Sequence, residues 1–401
     1  ILSVRIINEV IKGEDVSFLP FYIPKRKNLN IVIVGGGYAG VSALTTFSRY
    51  MPNANITIVD PRTHHIKITH LHETFRYPLQ DFMVPFSHLE KHFGCRHICA
   101  KLFITEDNIQ QWNNDKFITI NEEQIDFDYV LIASGASFGK IKPQNNTLDL
   151  NSFLTTSGTE LLNSILEKTN QVEPIISVVG GGATGIQFLF EIAHFTKRKN
   201  IACRLQLIND DNRVLKRFPI GLSKYTEDKM SDLNISFYPN TYFKKQKKNS
   251  ILLIEKETKN EFELPSSFTL FFIGNNLGNR LSANTFGQAV LNNQTLRHIF
   301  MAGDCSNYNS HGSNTMTAQS AVRKGRLAAS NILRDSSVLK IFEPYLHPDL
   351  GYVISLGPED AVGWIAKENN VVNGTPALLL KEMVESQYDL LLATGMDTYV
   401  M

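Results

Sequence analysis

Cysteine is scarce in this sequence. Four cysteines occur among 401 residues, at positions 95, 99, 203 and 305. So few in a chain of this length are typical of a reducing compartment and exclude a fold built on a disulfide framework. Cys95 and Cys99, in GCRHICA, have neither the spacing of a CxxC redox motif nor that of a paired zinc-ligand set. We expect both to be ordinary buried thiols.

The chain also lacks a net charge and long apolar runs. Lys and Arg total 40 against 39 Asp and Glu, so no overall field attracts nucleic acid or an anionic membrane. No apolar run approaches the roughly 20 residues of a spanning helix, and the opening ILSVRIINEV lacks the pattern of a signal peptide. We expect a cytoplasmic protein that binds no nucleic acid. Any membrane contact is expected to be peripheral, on the inner face of the cell membrane.

Two stretches of the chain share one βαβ pattern. From Asn30, an apolar strand (NIVIV) is followed by a glycine turn (GGGYAG), an apolar helix (VSALTTFSRY) and a second strand (NITIVD). The same order recurs from Ile175 as IISVVGGGATG, IQFLFEIAHF and IACRLQLIND. This repetition predicts two nucleotide-binding domains of the same type.

The first turn carries the motif G-x-G-x-x-G as Gly35, Gly37 and Gly40. The first glycine permits a tight turn, the second lets backbone N–H groups approach a pyrophosphate, and the third lets helix and strand pack closely. The positive end of the helix dipole faces the phosphates, and Asp60 ends the second strand, where it can accept from ribose hydroxyls. The stretch therefore predicts a site for the ADP half of FAD. Its candidate residues are Gly35, Gly37, Tyr38, Ala39, Gly40, Asp60, Pro61 and Arg62.

The second turn repeats the motif, and its natural ligand is NADH or NADPH. Asn209 stands where Asp or Glu normally receives the ribose. The neighbouring Asp210 and Asp211 favour NADH, whereas Arg213 favours the 2′-phosphate of NADPH, so both donors stay open. The candidate residues are Gly180, Gly182, Ala183, Thr184, Gly185, Asn209 and, in the turn of LPSSFTLFFIGNN, Gly274.

The remaining segments predict an α/β fold of two Rossmann-like domains, the second inserted in the first, plus a small C-terminal α+β unit. FITI, QIDFDYVLIASGAS and RHIFMAGDC are expected to return to the first sheet, and LPSSFTLFFIGNN to the second. Helices are expected over Thr317–Leu333 and Thr375–Gly395. The predicted divisions are an arm (1–28), an FAD-binding domain in two parts (29–150 and 286–335), an NAD(P)H-binding domain (151–285) and a C-terminal unit (336–401) that makes a dimer or membrane contact.

A third signal follows the RHIF strand. Asp304, in AGDC, comes after a small Ala-Gly pair, where a carboxylate and a close backbone approach suit a ribityl or phosphate chain. With both glycine loops, these motifs resemble the two-dinucleotide-binding-domain flavoproteins, and specifically the type II NADH:quinone oxidoreductases. The resemblance covers about Leu29 to Leu333.

Each motif has a counterpart in that family. ASGA at Ala133–Ala136 is similar to its ATG turn, and DPRTHHIKITHLHE is similar to its flavin-contacting stretch. Ala318-Gln319-Ser320-Ala321 matches the AQxA motif of its flavin and quinone pocket. The resemblance implies an FAD-dependent enzyme that passes electrons from NAD(P)H to a quinone. It adds these residues to the flavin contacts: Ala133, Gly135, Asp304, Ala318 and Gln319.

The resemblance also marks candidate catalytic residues. Where the family usually carries Glu after the second loop, this chain has Gln187, and Glu191 one helical turn on substitutes in part. His70 lies in the flavin stretch, where it either donates a proton to the reduced quinone or merely packs. We expect no metal at the four nearby histidines, because the segment has no HExxH or cysteine partner set. The candidate catalytic residues are Gln187, Glu191, Gln319 and His70.

Two other functions stay open. One is a soluble flavin reductase with a protein or other acceptor, ferredoxin reductase-like or sulfide:quinone-like, although no cysteine pair stands where thiol-using relatives need one. The other is a slow-turnover flavin sensor. The acidic residues of Thr375–Gly395 suit protein packing or a homodimer face better than an anionic bilayer. The basic cluster RKGR at 323–326 is expected to be a solvated face.

Overall fold

The computed structural model of the protein describes Lys25 and residues 28–136, 146–169, 173–272 and 280–396. Most of the predicted N-terminal arm, and the candidate Gly274, lie outside the described residues.

The first part of the chain forms the predicted βαβ unit and continues it. Its strands are buried apolar runs, as expected for parallel strands covered on both faces. In chain order the elements are β1 (Asn30–Val34), α1 (Tyr38–Tyr50), β2 (Asn55–Asp60), β3 (His64–Ile66), 3-10 turns at Ile68–Phe75 and Leu79–Phe82, β4 (Met83–Pro85), α2 (Phe86–Phe93), β5 (Cys95–Cys99), α3 (Glu106–Asp115), β6 (Phe117–Ile120), β7 (Glu123–Asp126) and β8 (Tyr129–Ile132).

The middle of the chain repeats the pattern in a second sheet with an antiparallel hairpin sheet beside it. Its elements are β9 (Thr147–Asp149), a 3-10 turn at Leu150–Leu154, α4 (Gly158–Thr169), β10 (Ile175–Val179), α5 (Ala183–Arg198), β11 (Arg204–Ile208), α6 (Ile220–Asp232), β12 (Ser236–Tyr238), β13 (Thr241–Gln246), β14 (Ser250–Glu255), β15 (Glu261–Pro265) and β16 (Phe268–Phe271). The sheet order is β12-β11-β10-β16-β9.

The chain then returns to the first sheet and ends in a small unit. The returning elements are β17 (Leu281–Ala283), β18 (Gln288–Leu291), β19 (Gln294–Met301), a 3-10 turn at Gly303–Cys305, β20 (Ser306–Tyr308) and α7 (Ala318–Ser336). The last unit contains β21 (Gly351–Ser355), β22 (Ala361–Ile365), β23 (Lys367–Asn373) and α8 (Thr375–Thr394). Within the described chain, the first sheet has the order β20-β17-β18-β19-β8-β1-β2-β5.

This topology confirms an α/β fold in which the second Rossmann-like unit interrupts the first. It also corrects one expectation: FITI forms β6, which pairs with β7 in a separate hairpin, and only the YVLI segment returns to the main sheet as β8. Thr147–Asp149 already lies in the second sheet and Leu281–Ala283 in the first. We propose that the domain boundaries follow these sheet memberships.

Helices α1 and α7 pack closely and join the two parts of the first unit. Gly325 makes this possible, since a Cβ there would lie 2.1 Å from the carbonyl oxygen of Ala39. Ser42 Oγ donates to the Val322 carbonyl at 2.8 Å across the same contact. The predicted C-terminal helix is confirmed as α8, and its Tyr388, Leu391 and Leu392 enter the same core.

No helix in the described ranges has the length and apolar character needed to cross a bilayer.

Candidate functional site

The first glycine loop has the shape that its sequence predicts. Gly35 has φ +108°, and a Cβ there would lie 2.3 Å from the Ala133 carbonyl oxygen, so the turn passes directly under the end of β8. A Cβ on Gly40 would lie 1.9 Å from the Gly35 carbonyl oxygen, which fixes the close contact of α1 with β1. Both glycines are therefore required by the backbone itself.

Gly37 is different, because it leaves space for a ligand. No heavy atom lies within 4 Å of a Cβ placed there, and no side chain caps the helix that begins after it. The N-terminus of α1 and the positive end of its dipole, about half an elementary charge, face this space. The arrangement fits a diphosphate.

Asp60 lies at the edge of this space, at the carboxyl end of β2. Its Oδ2 accepts from the Gly36 N–H at 2.8 Å and from Arg62 Nη2 at 3.0 Å. Its Oδ1 accepts from the N–H and the Nε of Arg62 at 2.9 and 3.0 Å. Burial opposes ionisation, but the hydrogen bonds and charge of Arg62 outweigh it and lower the pKa of Asp60. A ribose at this carboxylate would therefore have to share it with Arg62.

The returning strand brings a second carboxylate to the same edge of the sheet. Gly303 has φ +73°, and a Cβ there would lie 3.1 Å from the Cβ of Ala39 at the start of α1. The next residue, Asp304, has its pKa raised to about 6 by burial, against the opposing charges of Arg280 and Lys324. Ala133 and Gly135 follow β8 at this edge, and Ala318 and Gln319 open α7.

The expectation of a solvated basic face at 323–326 is wrong for Lys324. Its side chain is fully buried. The ammonium donates to Asn314 Oδ1 at 2.9 Å and lies 4.8 Å from the centre of the Tyr308 ring. Burial lowers the pKa of Lys324 to about 8. The expectation fails because α7 is covered by the chain on most of its circumference, not on one face.

The second glycine loop has the same construction. Gly180 has φ +112°, a Cβ on Gly185 would lie 1.9 Å from the Gly180 carbonyl oxygen, and Gly182 faces open space. Asn209 takes the place of Asp60: its Oδ1 accepts from the Gly181 N–H at 2.9 Å. The predicted residues Ala183 and Thr184 form the first turn of α5.

Arg213 is not aimed at this space. Its guanidinium donates to the carbonyl groups of Leu215, Lys216 and Phe218 at 2.8–3.2 Å. A phosphate would have to displace these bonds. These bonds weigh against the sequence argument that Arg213 favours a 2′-phosphate.

Helix α5 carries the second loop to segment 68–75, the 3-10 turn expected to line the flavin. Gln187 Nε2 lies 3.2 Å from Ser355 Oγ and 3.4 Å from His72 Nε2. One turn further on, Glu191 forms a two-point ion pair with Arg76, with distances of 3.0 and 3.1 Å. Burial raises the pKa of Glu191 to about 7, although Arg76 opposes the rise. Two predicted catalytic residues thus lie at the contact between the two units.

His70 belongs to a charged cluster on the other side of segment 68–75. Its Nδ1 lies 3.3 Å from Glu73 Oε1, and its ring stacks on Phe82. The ligand atoms of His70, Glu73 and Glu385 lie within 4.8 Å of one another. Lys381 Nζ holds the centre, at 2.9 Å from Glu73 and 2.6 Å from Glu385. The ammonium already supplies the cation that a metal would provide.

The structure adds residues that the sequence reasoning missed. Arg76, Ser355, Lys381 and Tyr388 all contact predicted site residues or their neighbours. Lys381 and Glu385 were visible only as charges on an acidic helix. No local pattern signals that β21 and α8 return to segment 68–75.

All four cysteines are free thiols. Burial raises the pKa of the Cys305 and Cys203 thiols, and raises that of Cys95 to about 11. Cys99 is exposed beside the Pro61 carbonyl, so the expectation of two buried thiols is wrong for it. The reason is that β5 is an edge strand of the first sheet.

Comparison with known proteins agrees with this geometry. The profile of the pyridine nucleotide-disulphide oxidoreductase family matches residues 29–325. The chain is 23% identical over 394 residues to the type II NADH:quinone oxidoreductase of Haemophilus influenzae, covering 83% of this chain and 86% of that protein. It is 21% identical over 363 residues to ferroptosis suppressor protein 1 of Xenopus tropicalis, covering 84% and 89%.

Solved structures show the same fold. NDH2 from Plasmodium falciparum in complex with NADH has a TM-score of 0.74 at 16% identity, covering 90% of this chain and 95% of that chain. The sulfide:quinone oxidoreductase from Aquifex aeolicus has a TM-score of 0.75 at 18% identity, covering 93% of each chain.

These findings confirm the predicted flavoprotein superfamily and its cofactors, FAD and a pyridine nucleotide. They establish an NAD(P)H-dependent oxidoreductase. The chain belongs to the pyridine nucleotide-disulphide oxidoreductase family.

Proposed function

We propose that the protein passes electrons from NADH or NADPH through FAD to a quinone. The observation that carries the proposal is the contact between α5 and segment 68–75. Through Gln187 and Glu191, the helix that begins at the nicotinamide loop reaches the segment expected at the flavin. The hydrogen-bond and ion-pair partners of these two residues are His72, Ser355 and Arg76, and none is a thiol. Electrons that enter the flavin therefore leave to an acceptor that reaches the flavin itself.

The two glycine loops and the carboxylates at the sheet edge would hold the cofactors. Gly37 and the α1 N-terminus receive the FAD diphosphate, and Asp60 and Asp304 receive its ribose and ribityl hydroxyls. Gly182 and the α5 N-terminus receive the diphosphate of the donor. When bound, FAD supplies two-electron transfer between donor and acceptor. The chain supplies binding and orientation.

Polar residues of this chain would position the reacting groups. Gln187, tied to His72 and Ser355, presents an amide where related proteins present a carboxylate. Glu191 and Arg76 neutralise one another at the same contact. We expect the amide of Gln319, at the start of α7, to bind a quinone carbonyl. His70 is held by Glu73 and Phe82 as a candidate proton donor.

NADH is the donor that the second loop favours. Asn209 and the neighbouring Asp210 and Asp211 bring no positive charge for a 2′-phosphate, and the Arg213 guanidinium is engaged by carbonyl groups. Lys256 lies beside these residues, but its ammonium donates to the Asp210 carbonyl at 2.7 Å, so a 2′-phosphate would have to compete with that carbonyl for it.

A thiol relay has little support, although the family name refers to disulphides. Three of the four thiols have raised pKa values because of burial, which disfavours the reactive thiolate. Cys99 lies beside Asp60 and Pro61, at the ribose end of the site. Cys305 directly follows Asp304 and interacts with Ser134 and the Gly135 backbone, so the sulfide:quinone-like alternative would have to use this thiol, whose pKa burial raises.

The outward face of α8 supports a peripheral contact with the membrane that contains the quinone. Leu379, Met383 and Leu390 are exposed there, with Leu379 65% accessible. Co-sedimentation with vesicles of neutral phospholipid tests this contact. Sedimentation of a dimer without lipid binding would instead assign the face to a second copy of the chain.

Anaerobic stopped-flow absorbance tests the acceptor. NADH should bleach the flavin, and a soluble ubiquinone analogue should restore it, with ping-pong kinetics in the steady state. Gln319→Leu should slow reoxidation at least ten-fold without changing reduction by NADH. Gln124→Leu, the same substitution in the exposed β6–β7 hairpin, is the matched control. A flavin that is reduced by NADH but reoxidised by a ferredoxin-type protein and by no quinone would contradict the proposal.

A further inference from the structure

The carbonyl group of Gly36, inside the first glycine loop, is held by residues far from the loop in sequence. His65 Nδ1 lies 2.9 Å from the Gly36 carbonyl oxygen. The other ring nitrogen of His65 lies 2.9 Å from the hydroxyl of Tyr388 on α8. Both side chains are buried, with exposures of 0% for His65 and 4% for Tyr388. Two hydrogen bonds therefore connect the C-terminal helix to the cofactor loop.

The partners fix the direction of both hydrogen bonds. A carbonyl oxygen only accepts, so Nδ1 of His65 carries the proton. Burial lowers the pKa of His65 to about 4, so the ring is neutral at pH 7 and its Nε2 accepts from the Tyr388 hydroxyl. Tyr388 thereby selects the tautomer that can hold Gly36.

Holding this carbonyl also orients the next N–H group. In a trans peptide the C=O of one residue and the N–H of the next point in opposite directions. Because the Gly36 carbonyl points to His65, the Gly37 N–H points away from His65, toward the space before α1. On the other side of the residue, the Gly36 N–H is fixed by Asp60. Both peptide groups around Gly36 are thus set.

Ring contacts join Tyr38 to the side chains of His65 and Tyr388. Tyr38, the first residue of α1, lies 4.6 Å from Tyr388 and 5.3 Å from His65 between ring centres. The Tyr38 hydroxyl pairs with Thr69 Oγ1 at 2.8 Å. The hydrogen-bond relay from Tyr388 through His65 to the Gly36 carbonyl is therefore part of a packed aromatic cluster at the start of α1.

In the second glycine loop, the carbonyl group equivalent to that of Gly36 is held without a tyrosine–histidine relay. Its Gly181 N–H is fixed by Asn209, as Gly36 is by Asp60. Its Gly181 carbonyl accepts from the backbone N–H of Leu215 at 2.8 Å, within the same unit. Among the contacts described, the hydrogen bond to this carbonyl group therefore depends on the C-terminal helix in the first loop and not in the second.

We propose that Tyr388 is a positioning residue for the first cofactor loop. Through His65 it keeps the Gly37 N–H directed at the FAD diphosphate. Retention of FAD then depends on the C-terminal helix, whereas binding of NADH at the second loop does not. The inference rests on FAD occupying the first loop, as the proposed function requires, and it needs no electron acceptor.

Tyr388→Phe tests the hydroxyl while preserving the ring and its packing. Without the hydroxyl, His65 can adopt the other tautomer and the Gly36 peptide can turn, so the binding-competent fraction of the loop falls. The apparent affinity falls by that fraction, roughly ten-fold for one net hydrogen bond. Tyr129→Phe is the matched control, because it also removes a buried hydroxyl, bonded to Asp335 at 2.7 Å, in the same unit.

The measurement is titration of deflavinated full-length protein with FAD, followed by quenching of flavin fluorescence, beside titration with NADH. Tyr388→Phe should weaken FAD binding about ten-fold and leave NADH binding within two-fold. Tyr129→Phe should change neither. In a His65→Asn background, Tyr388→Phe should have no further effect on FAD, since the relay is already interrupted.

An unchanged FAD affinity in Tyr388→Phe would overturn the inference. So would an equal loss of FAD and NADH affinity, or a loss of similar size in Tyr129→Phe, because either would mean general destabilisation. A protein that binds FAD as expected but reduces no quinone would overturn the proposed acceptor and leave this inference intact.

Discussion

Lys381 offers the most direct test of the charged cluster beside segment 68–75. Its side chain is 6% exposed and its ammonium contacts Glu73 and Glu385. Lys381→Met keeps most of the side-chain volume but leaves the buried Glu73 carboxylate facing the partly buried Glu385 carboxylate, with side chains 11% and 20% exposed. Breaking a buried pair in this way costs about 3–5 kcal/mol, because the remaining charges keep their desolvation penalty without their partner. We expect a loss of that size in the free energy of unfolding at pH 8.

The loss should depend on pH with a definite sign. In the natural protein, burial opposes ionisation of Glu73, but His70 and Lys381 outweigh it and lower its pKa. Its stabilising contribution is therefore present above its unfolded pKa and is lost only as the pH falls through the lower, folded value. Without Lys381, burial and the neighbouring carboxylate raise the folded pKa instead, so the variant takes up a proton on folding.

The difference in the free energy of unfolding between the natural protein and Lys381→Met should then shrink as the pH falls from 8 toward 5, by up to about 1.4 kcal/mol per pH unit for each extra proton bound. Urea unfolding followed by circular dichroism, at fixed saturating FAD, measures it. The surface pair Lys67–Asp389, whose carboxylate side chain is 57% exposed, gives the control Lys67→Met, for which we expect at most about 1 kcal/mol. A deficit at Lys381 that is below 1 kcal/mol, or that does not change with pH, would refute the reasoning.

Three further predictions follow from the site. Gly37→Val should fold with nearly natural stability, because a Cβ at this position meets no protein atom. Its affinity for FAD should nevertheless fall at least a hundred-fold in a fluorescence titration. Gly40→Ala should instead destabilise the fold, because a Cβ there meets the Gly35 carbonyl oxygen. Comparable FAD binding by both would argue that the diphosphate lies elsewhere. Lys381→Ala should bind Zn²⁺ through His70, Glu73 and Glu385, detectable by calorimetry, whereas the natural protein should not. Replacing all four cysteines by serine should preserve at least half of the proposed NADH-dependent quinone reduction, and a loss above ten-fold would favour a thiol mechanism.

Much of the fold is local in origin and was predicted from local patterns. The buried strand NIVIV, the glycine turn and the helix after it form the predicted unit as β1 and α1, and the repeat forms β10 and α5. The third glycine of each loop is fixed by a contact within the loop, between Gly40 and Gly35 or between Gly185 and Gly180. Such short-range constraints leave a recognisable spacing in the sequence.

The failures have a different origin. FITI has the composition of a sheet strand, but the same alternation suits a two-stranded hairpin, and only the partner decides between them. Lys324 reads as part of a basic surface, and it is buried because β20 and the loop after it cover α7. Cys99 reads as a buried thiol, and it is exposed because, among the described residues, β5 is the last strand of the first sheet.

By itself, the sequence determined the two dinucleotide loops and the interruption of one unit by the other, because each rests on residue identity and short spacing. The tertiary structure alone decided what meets those loops. It brought Gln187 and Glu191 of the second unit to segment 68–75, and it brought Lys381 and Tyr388 of the last helix onto the first unit. These contacts join residues more than a hundred positions apart. They depend on how complete sheets and helices pack, and no local spacing records that packing.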